Sequence, residues 1–189
     1  MRIDIREELI GPESLAKHAE ISIAFRVEKV LVPEDKGLAG IALKERLIKD
    51  AYLKDHDESE RPTHWPQRFD VANWGMIGAE DHGVRVGGAV IAFRTENLHM
   101  LDGRNDLAVL WDLRIRPASR RSGVGSVLFR ATEEWAQAHG CKQLKIETQN
   151  VNVAACHFYA GRHCPLGGIN RFAYRDYPEE AQLLWFKQL

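Results

Sequence analysis

The sequence predicts a mixed α/β (α+β) fold, one mixed sheet with helices packed on it. Three observations point there. Residues 74–79 and 84–93 read as two strands around Asp81-His82-Gly83, a strong turn signal, and so as an antiparallel hairpin. An apolar run at Leu110, Trp111, Leu113 and Ile115 stops at Pro117; after a short basic loop, Val124, Val127, Leu128, Ala131, Trp135 and Ala138 recur at helical steps. Strand, helix and strand follow to the C-terminus, an order that covers a sheet with helices. The hydrophobic runs leave the strand order open.

Length and charge narrow the class. With 189 residues the chain can form one domain with a real core. Lys and Arg total 26 against 27 Asp and Glu, a formal net charge of −1, which argues against a general nucleic-acid or membrane-surface binder. Arg120 and Arg121 are therefore local equipment and not part of a basic face. Cys141, Cys156 and Cys164 lack framework spacing, so no disulfide scaffold is implied. No stretch approaches membrane-spanning length and the first residues carry no uninterrupted apolar run, so a cytoplasmic protein is the default expectation.

Taken in order, residues 1–19 are polar with scattered aliphatics, and Pro12-Glu13-Ser14 suits the opening of a short helix. Ile21, Ile23, Phe25 and Val27 alternate as in a half-buried strand, which Val30-Leu31-Val32 extends toward Pro33. Residues 42–53 read as a helix with Leu43, Leu47, Ile48 and Ala51 on one face. Residues 54–70 bring Asp55, Asp57, Glu58, Glu60, His64 and Trp65 together, and two readings stay open: a solvated acidic loop, or a lid whose acids and Trp65 attract a cationic substrate.

Gly87-Gly88 interrupts the second hairpin strand and signals a bulge or a close backbone approach. A loop spans 95–106. Gly140 caps the long helix after His139. Leu144 and Ile146 alternate with Lys145 and Glu147 in a further strand, and Asn152 is an N-cap for a short helix over 153–160. Residues 166–169 and 172–174 read as short extended pieces, and 181–186 as a final strand.

The basic loop is the most informative stretch. Strand, glycine loop and helix place backbone N–H groups and the positive end of a helix dipole around one small pocket that suits phosphate. A dinucleotide site is one reading, since Gly123-Val124-Gly125 begins a G-x-G-x-x-G pattern and Glu147 lies near the end of the next strand. Against it, the third position is the bulky Leu128 and the strand stops early at Pro117. No Gly-Lys-Ser or Gly-Lys-Thr occurs, which removes a Walker A loop. A second reading is structural, a glycine-rich helix start with ordinary surface charge. The third is a site for the pyrophosphate of coenzyme A.

The third reading rests on a resemblance. Arg120-x-x-Gly123-x-Gly125 is similar to the R-x-x-G-x-G loop of the GNAT N-acetyltransferase superfamily, and Asn152-x-x-Ala155-x-x-Phe158-Tyr159 resembles its downstream helix. Residues 147–159, with Trp111-Asp112-Leu113 before and Leu184-Trp185-Phe186 after, are similar to streptothricin acetyltransferases. The superfamily likeness covers about residues 70–189 and the narrower one is strongest over 133–160. It implies a single acetyltransferase domain: a mostly antiparallel central sheet with splayed strands, helices on both faces, a coenzyme-binding core over 71–189 and an acceptor-side part over 1–70.

The resemblance also implies roles. Acetyl-CoA would be the co-substrate, held by Arg120, Arg121, Ser122, Gly123, Val124, Gly125 and Ser126, with its pantetheine arm beside Leu113 and Ile115 and with Asn152 and Tyr159 in contact. Tyr159 would act as general acid toward the departing thiolate, a role open to a phenol of pKa about 10. An acceptor ammonium of pKa about 10.4 is helped by a base, and Asp112 and Glu147 are the candidates. Alternatives remain beside each: a salt bridge of Asp112 with Arg114 or Arg116, pairing of Glu147 with Lys145 or Lys142, or simple electrostatic binding of a cation.

The Cys/His pairs fit no C-x-x-C spacing, so no metal is expected, and Cys156 reads as packing. The expected partner is a small-molecule amine, with a streptothricin-type antibiotic the leading acceptor by resemblance alone, for a monomer or homodimer. A protein amine acceptor and a non-catalytic acyl-CoA-binding module are the rivals.

Overall fold

The structure, a computed structural model, describes residues 2–189. Its elements run β1 (Ile3–Glu8), α1 (Pro12–Ala19), β2 (Phe25–Asp35), β3 (Ile41–Lys54), α2 (Trp65–Arg68), β4 (Gly75–Asp81) and β5 (Val84–Ala92). Then come β6 (Leu107–Ile115), α3 (Val124–Ala138), β7 (Gln143–Gln149), α4 (Val153–Ala160), β8 (Leu166–Asn170) and β9 (Gln182–Gln188). The chain divides into two compact units. The first holds the residues up to Ile23, Asp55–Ile146 and Gln188–Leu189; the second holds Ala24–Lys54 and Glu147–Lys187.

In the first unit the strand order is β1-β4-β5-β6-β7. The expected hairpin is β4 and β5, turned by His82 and Gly83 at positive φ. Every pair is antiparallel except β6 with β7, which is parallel from Leu107↔Gln143 to Leu110↔Ile146. The chain makes that parallel step through α3, the crossover that parallel strands require. At Trp111 the β5–β6 register jumps, from Val90↔Asp112 to Ile91↔Leu110, so Trp111 is a bulge. The β6–β7 ladder stops at the same place. Residues 112–115 of β6 therefore keep β5 as their strand partner and, among the described residues, have no ladder on the β7 side.

Gly87 and Gly88 explain how helices cover both faces of this sheet. A Cβ on Gly87 would lie 2.9 Å from the Arg114 carbonyl oxygen and 2.9 Å from Leu128 Cδ1 of α3. A Cβ on Gly88 would lie 2.6 Å from His18 Nδ1 of α1. Successive strand residues face opposite sides, so α3 covers one face and α1 the other. Both expectations for this pair are met, since the register also shifts beside Gly87. Leu15, Trp65, Trp74, Met76, Val90 and Val109 form a buried cluster, and Phe69 and Trp111 pack against it.

The second unit contains a correction. Residues 42–53 are strand, not helix: β3 pairs antiparallel with β2 from Asp35↔Ile41 to Phe25↔Lys54, with an irregularity between Val27 and Lys29. The proposed apolar face is not buried, Leu47 being 78% exposed, so no core rewards helical spacing there. Gly37 and Gly40 both take positive φ in the connection and let it close. Also in this unit, Asn150 is buried with its backbone and side chain both engaged. Its Nδ2 donates to the Leu31 carbonyl at 3.0 Å and its Oδ1 accepts from Ala181 N at 2.8 Å.

Other expectations shift by smaller amounts. The strand expected from Ile21 begins at Phe25 and runs through Pro33, while Ile21 is itself buried. The helix opened by Pro12 is α1, and β1 was not anticipated. Residues 172–174 lie outside any strand. The acidic stretch 54–70 is not a lid baited with Trp65. Trp65 is 3% exposed in the aromatic cluster, Asp57 pairs with Arg114, and Glu60 pairs with Arg68.

Candidate active site

The sequence 107–138 folds as one local unit. The apolar alternation of β6 ends where Pro117 starts a single 3-10 turn over Pro117–Ser119. Arg121 and Gly123 then take positive φ, 62° and 94°, and turn the chain into α3. Ser122 Oγ donates to the Ser119 carbonyl at 2.6 Å, tying the loop to itself. Arg120 Nε donates to the Ile115 carbonyl at 3.2 Å and its Nη2 to the Ser22 carbonyl at 3.4 Å, so its guanidinium folds back over the end of β6.

Gly123 is the N-cap of α3 and no side chain caps it. The first helical bonds are made by Ser126 and Val127 to the Gly123 carbonyl. The N–H groups of Val124 and Gly125 precede them and have no intrahelical acceptor. The arrangement is a short, exposed, cationic loop around an uncapped helix N-terminus, which fits a diphosphate. Leu113 and Ile115 are half-buried on the stretch of β6 that has lost its β7 ladder. The expected coenzyme residues of this unit are thus contiguous, Leu113 and Ile115 on the strand and 120–126 at the helix start.

Asp112 sits on the same strand with its neighbour's opposite facing. It is buried, and His18 Nε2 lies 2.9 Å from its Oδ1. Arg114 donates to both of its oxygens through Nε and again through Nη2 at 3.0 Å. Burial would raise the carboxyl; the His18 hydrogen bond and the Arg114 charge outweigh it and hold Asp112 below the usual carboxylate range. Arg114 also grips Asp57 through two 2.7 Å bonds and the Ile21 carbonyl at 3.1 Å. The partner is Arg114, as the salt-bridge alternative had it; Arg116 Nε instead donates to the Arg85 carbonyl.

In the second unit, Glu147 is half-buried on β7 and its oxygens accept from Tyr174 Oη at 2.7 Å and Gln182 Nε2 at 2.8 Å. Lys145 donates to both oxygens of Asp102 within the first unit. Asn152 caps α4, its Oδ1 accepting from Ala155 N at 3.2 Å. Tyr159 is buried on α4 with its ring edge-on to Phe158. Cys156 is buried too, and burial pushes its thiol up to about 11, which keeps it protonated at neutral pH and unsuited to nucleophilic attack.

Sequence spacing missed His18, Tyr174 and Gln182, and it took Asp57 only as one acid of the 54–70 stretch, without its partner. His18 lies 94 residues from its partner and Asp57 lies 57 from Arg114, distances at which no periodic pattern operates. Tyr174 sits in a polar segment between strands, with nothing in its neighbours to single it out.

The acetyltransferase (GNAT) family matches residues 42–163, nearly two thirds of the chain. The chain belongs to that family. Streptothricin acetyltransferase A of Bacillus subtilis (strain 168) is 33% identical over 84 residues, 43% of this chain and 49% of that one. The match thus spans about half the length of this relative. A Bacillus anthracis protein assigned as a streptothricin acetyltransferase, solved in complex with acetyl coenzyme A, superposes with a TM-score of 0.78 over 100% of both chains at 23% identity. A nourseothricin acetyltransferase structure covers 98% of each chain with a TM-score of 0.75 at 22% identity. At such identities the two structures show a shared fold, a mixed and mostly antiparallel sheet with helices. Among the described residues no helix is long and apolar enough to cross a membrane.

Proposed function

We propose that this family member is an acetyl-CoA-dependent N-acetyltransferase acting on a primary amine of a small cationic molecule. The observation that carries the reading is the uncapped start of α3, flanked by Arg120 and Arg121 and fed by a strand whose end pairs with β5 and, among the described residues, has no ladder on the β7 side. Acetyl-CoA would supply the acetyl group as a thioester. On the protein side, residues 120–126 would hold the diphosphate through backbone N–H groups and guanidinium charge, and Leu113 and Ile115 would offer strand backbone to the arm. Tyr159 is the candidate for delivering a proton to the leaving sulfur, and Asn152 for a coenzyme contact beside its cap.

Of the two carboxylates, Glu147 supports the base or cation-binding role better. Asp112 is buried and encased by Arg114 and His18, so it serves this reading as an anchor of β6 to α1. The curated relative's name supports a streptothricin as the first acceptor to test.

The test is thiol release from acetyl-CoA with streptothricin, together with calorimetric binding of acetyl-CoA. Wild-type protein is expected to bind and to release thiol. Gly125→Glu is expected to abolish both, because a carboxylate in the first turn of α3 suits the helix dipole yet repels a diphosphate. Binding without thiol release for any amine would point to a sensing module. No binding at all would sink the proposal.

A further inference from the structure

Glu147 is held on both sides by neutral donors, and this clamp has no counterpart in the sequence motifs. Tyr174 Oη donates to Oε1 at 2.7 Å, and Gln182 Nε2 donates to Oε2 at 2.8 Å. Gln149 Nε2 approaches the Tyr174 hydroxyl at 3.4 Å from the acceptor side. Burial raises the Tyr174 hydroxyl, and the Glu147 charge raises it further, so at neutral pH it stays a phenol and a donor. A carboxylate offers about four lone-pair sites. Among the described residues Tyr174 and Gln182 each take one, which leaves acceptor capacity for an ammonium.

The segment that carries Tyr174 is itself fixed within the same unit. Tyr177 N bonds to the Tyr174 carbonyl at 3.2 Å and Glu180 N to the Tyr177 carbonyl at 2.9 Å. Lys54 pairs with the buried Glu180 and lies over the Tyr177 ring, 4.4 Å from its centroid. Ala181 N ends the segment on Asn150. Tyr174 is therefore not a free loop side chain that happens to meet a carboxylate. Its backbone is stepped down turn by turn to a point from which the hydroxyl reaches Glu147.

We infer that Tyr174 and Gln182 are positioning residues that fix the Glu147 carboxylate as the receptor for the acceptor's cationic amine. This rests on the acetyltransferase reading above. It adds that the segment after β8 governs how the acceptor is met, through Glu147 and not through contact of its own. Orientation of a receiving group to within a fraction of an ångström is a large part of what holds an amine ready to react.

A double-mutant cycle on kcat/KM for streptothricin tests it, with Tyr174→Phe, Glu147→Gln and the double variant, and radiolabelled acetyl transfer to follow slow turnover. Loss of one of two hydrogen bonds to a charged group predicts a fall of about tenfold for Tyr174→Phe, with the acetyl-CoA dissociation constant unchanged. In the Glu147→Gln background the same change is expected to add less than about twofold, because there is no carboxylate left to position. Equal fractional losses in both backgrounds would show that Tyr174 acts on its own, and an unchanged single variant would overturn the inference outright. Should Glu147→Gln fall below detection, the single variant decides, since loss confined to acceptor kinetics is required and an equal loss of acetyl-CoA affinity refutes it. Wild-type protein runs alongside: if it transfers no acetyl group, the functional reading fails, whereas an active wild type with an indifferent Tyr174→Phe removes only the positioning role.

Discussion

Asp112 is a carboxylate buried on an apolar strand between an imidazole and a guanidinium. An acid in an apolar strand next to a cationic loop suits catalysis, and the same acid next to Arg114 suits an ion pair. The structure surrounds it with His18, Arg114 and, through Arg114, Asp57. Removing one partner of a buried pair costs about 3–5 kcal/mol, because the other charge is left uncompensated. Asp57 remains for Arg114, so Asp112→Asn is expected at the lower end, about 3 kcal/mol at pH 7 by urea denaturation. The carboxyl is held below its ordinary value in the folded state. Its contribution is thus fully present above the unfolded value, about 3.9, and fades as the pH falls through the lowered folded value. The gap between wild type and Asp112→Asn should therefore narrow in acid. A gap that keeps its size in acid would mean that packing, and not charge, holds this residue. Arg114 was legible as a partner two residues away, whereas His18 arrives from a different element and only the folded sheet brings it near.

At the scale of elements, local chemistry was legible and exposure was not. The β4–β5 hairpin, α3, its Gly140 cap and the Asn152 cap all depend on neighbours in sequence, and each falls where spacing placed it. The β3 strand did not, since its aliphatics at 43, 47, 48 and 51 mimic one helical face while its stability comes from pairing with β2. The first strand, β1, is half-buried against β4, and its Ile3/Ile5 alternation runs out into Arg6-Glu7-Glu8 too soon to be read as a strand. Two glycines of one hairpin separate conformational from steric demands. Gly83 takes φ of 79° with open space around its missing Cβ, whereas a Cβ on Gly87 meets a backbone carbonyl and Leu128. Gly83→Ala is expected to cost about 1 kcal/mol, the ordinary penalty for a left-handed position. Gly87→Ala is expected to cost more, about 2–3 kcal/mol, by forcing α3 away from β5. Equal midpoint shifts in denaturant would deny the close approach.

At the scale of the whole chain, legibility follows contiguity. Of the expected coenzyme residues, those from Leu113 to Ser126 lie in one unbroken stretch whose strand, loop and helix could be read in order, while Asn152 and Tyr159 lie apart from it in sequence. The other unit is drawn from two distant stretches, Ala24–Lys54 and Glu147–Lys187, and the clamp on Glu147 emerges only when the second of these folds back on itself. If the start of α3 holds acetyl-CoA, binding must stabilise the folded chain by mass action, about 2.7 kcal/mol at a ligand concentration of 100 times the dissociation constant. For a chain of 189 residues, each kcal/mol raises the midpoint by roughly 2–4 °C, so a rise of about 5–10 °C is expected in a calorimetric scan. Gly125→Glu should show no such rise while melting near the unliganded wild type, since the substitution acts on the anion and not on the fold. Tyr159→Phe should keep the full rise, because a proton donor to the sulfur contributes little to holding the diphosphate. A scan in which Tyr159→Phe loses the shift as completely as Gly125→Glu would move Tyr159 from proton transfer to coenzyme binding.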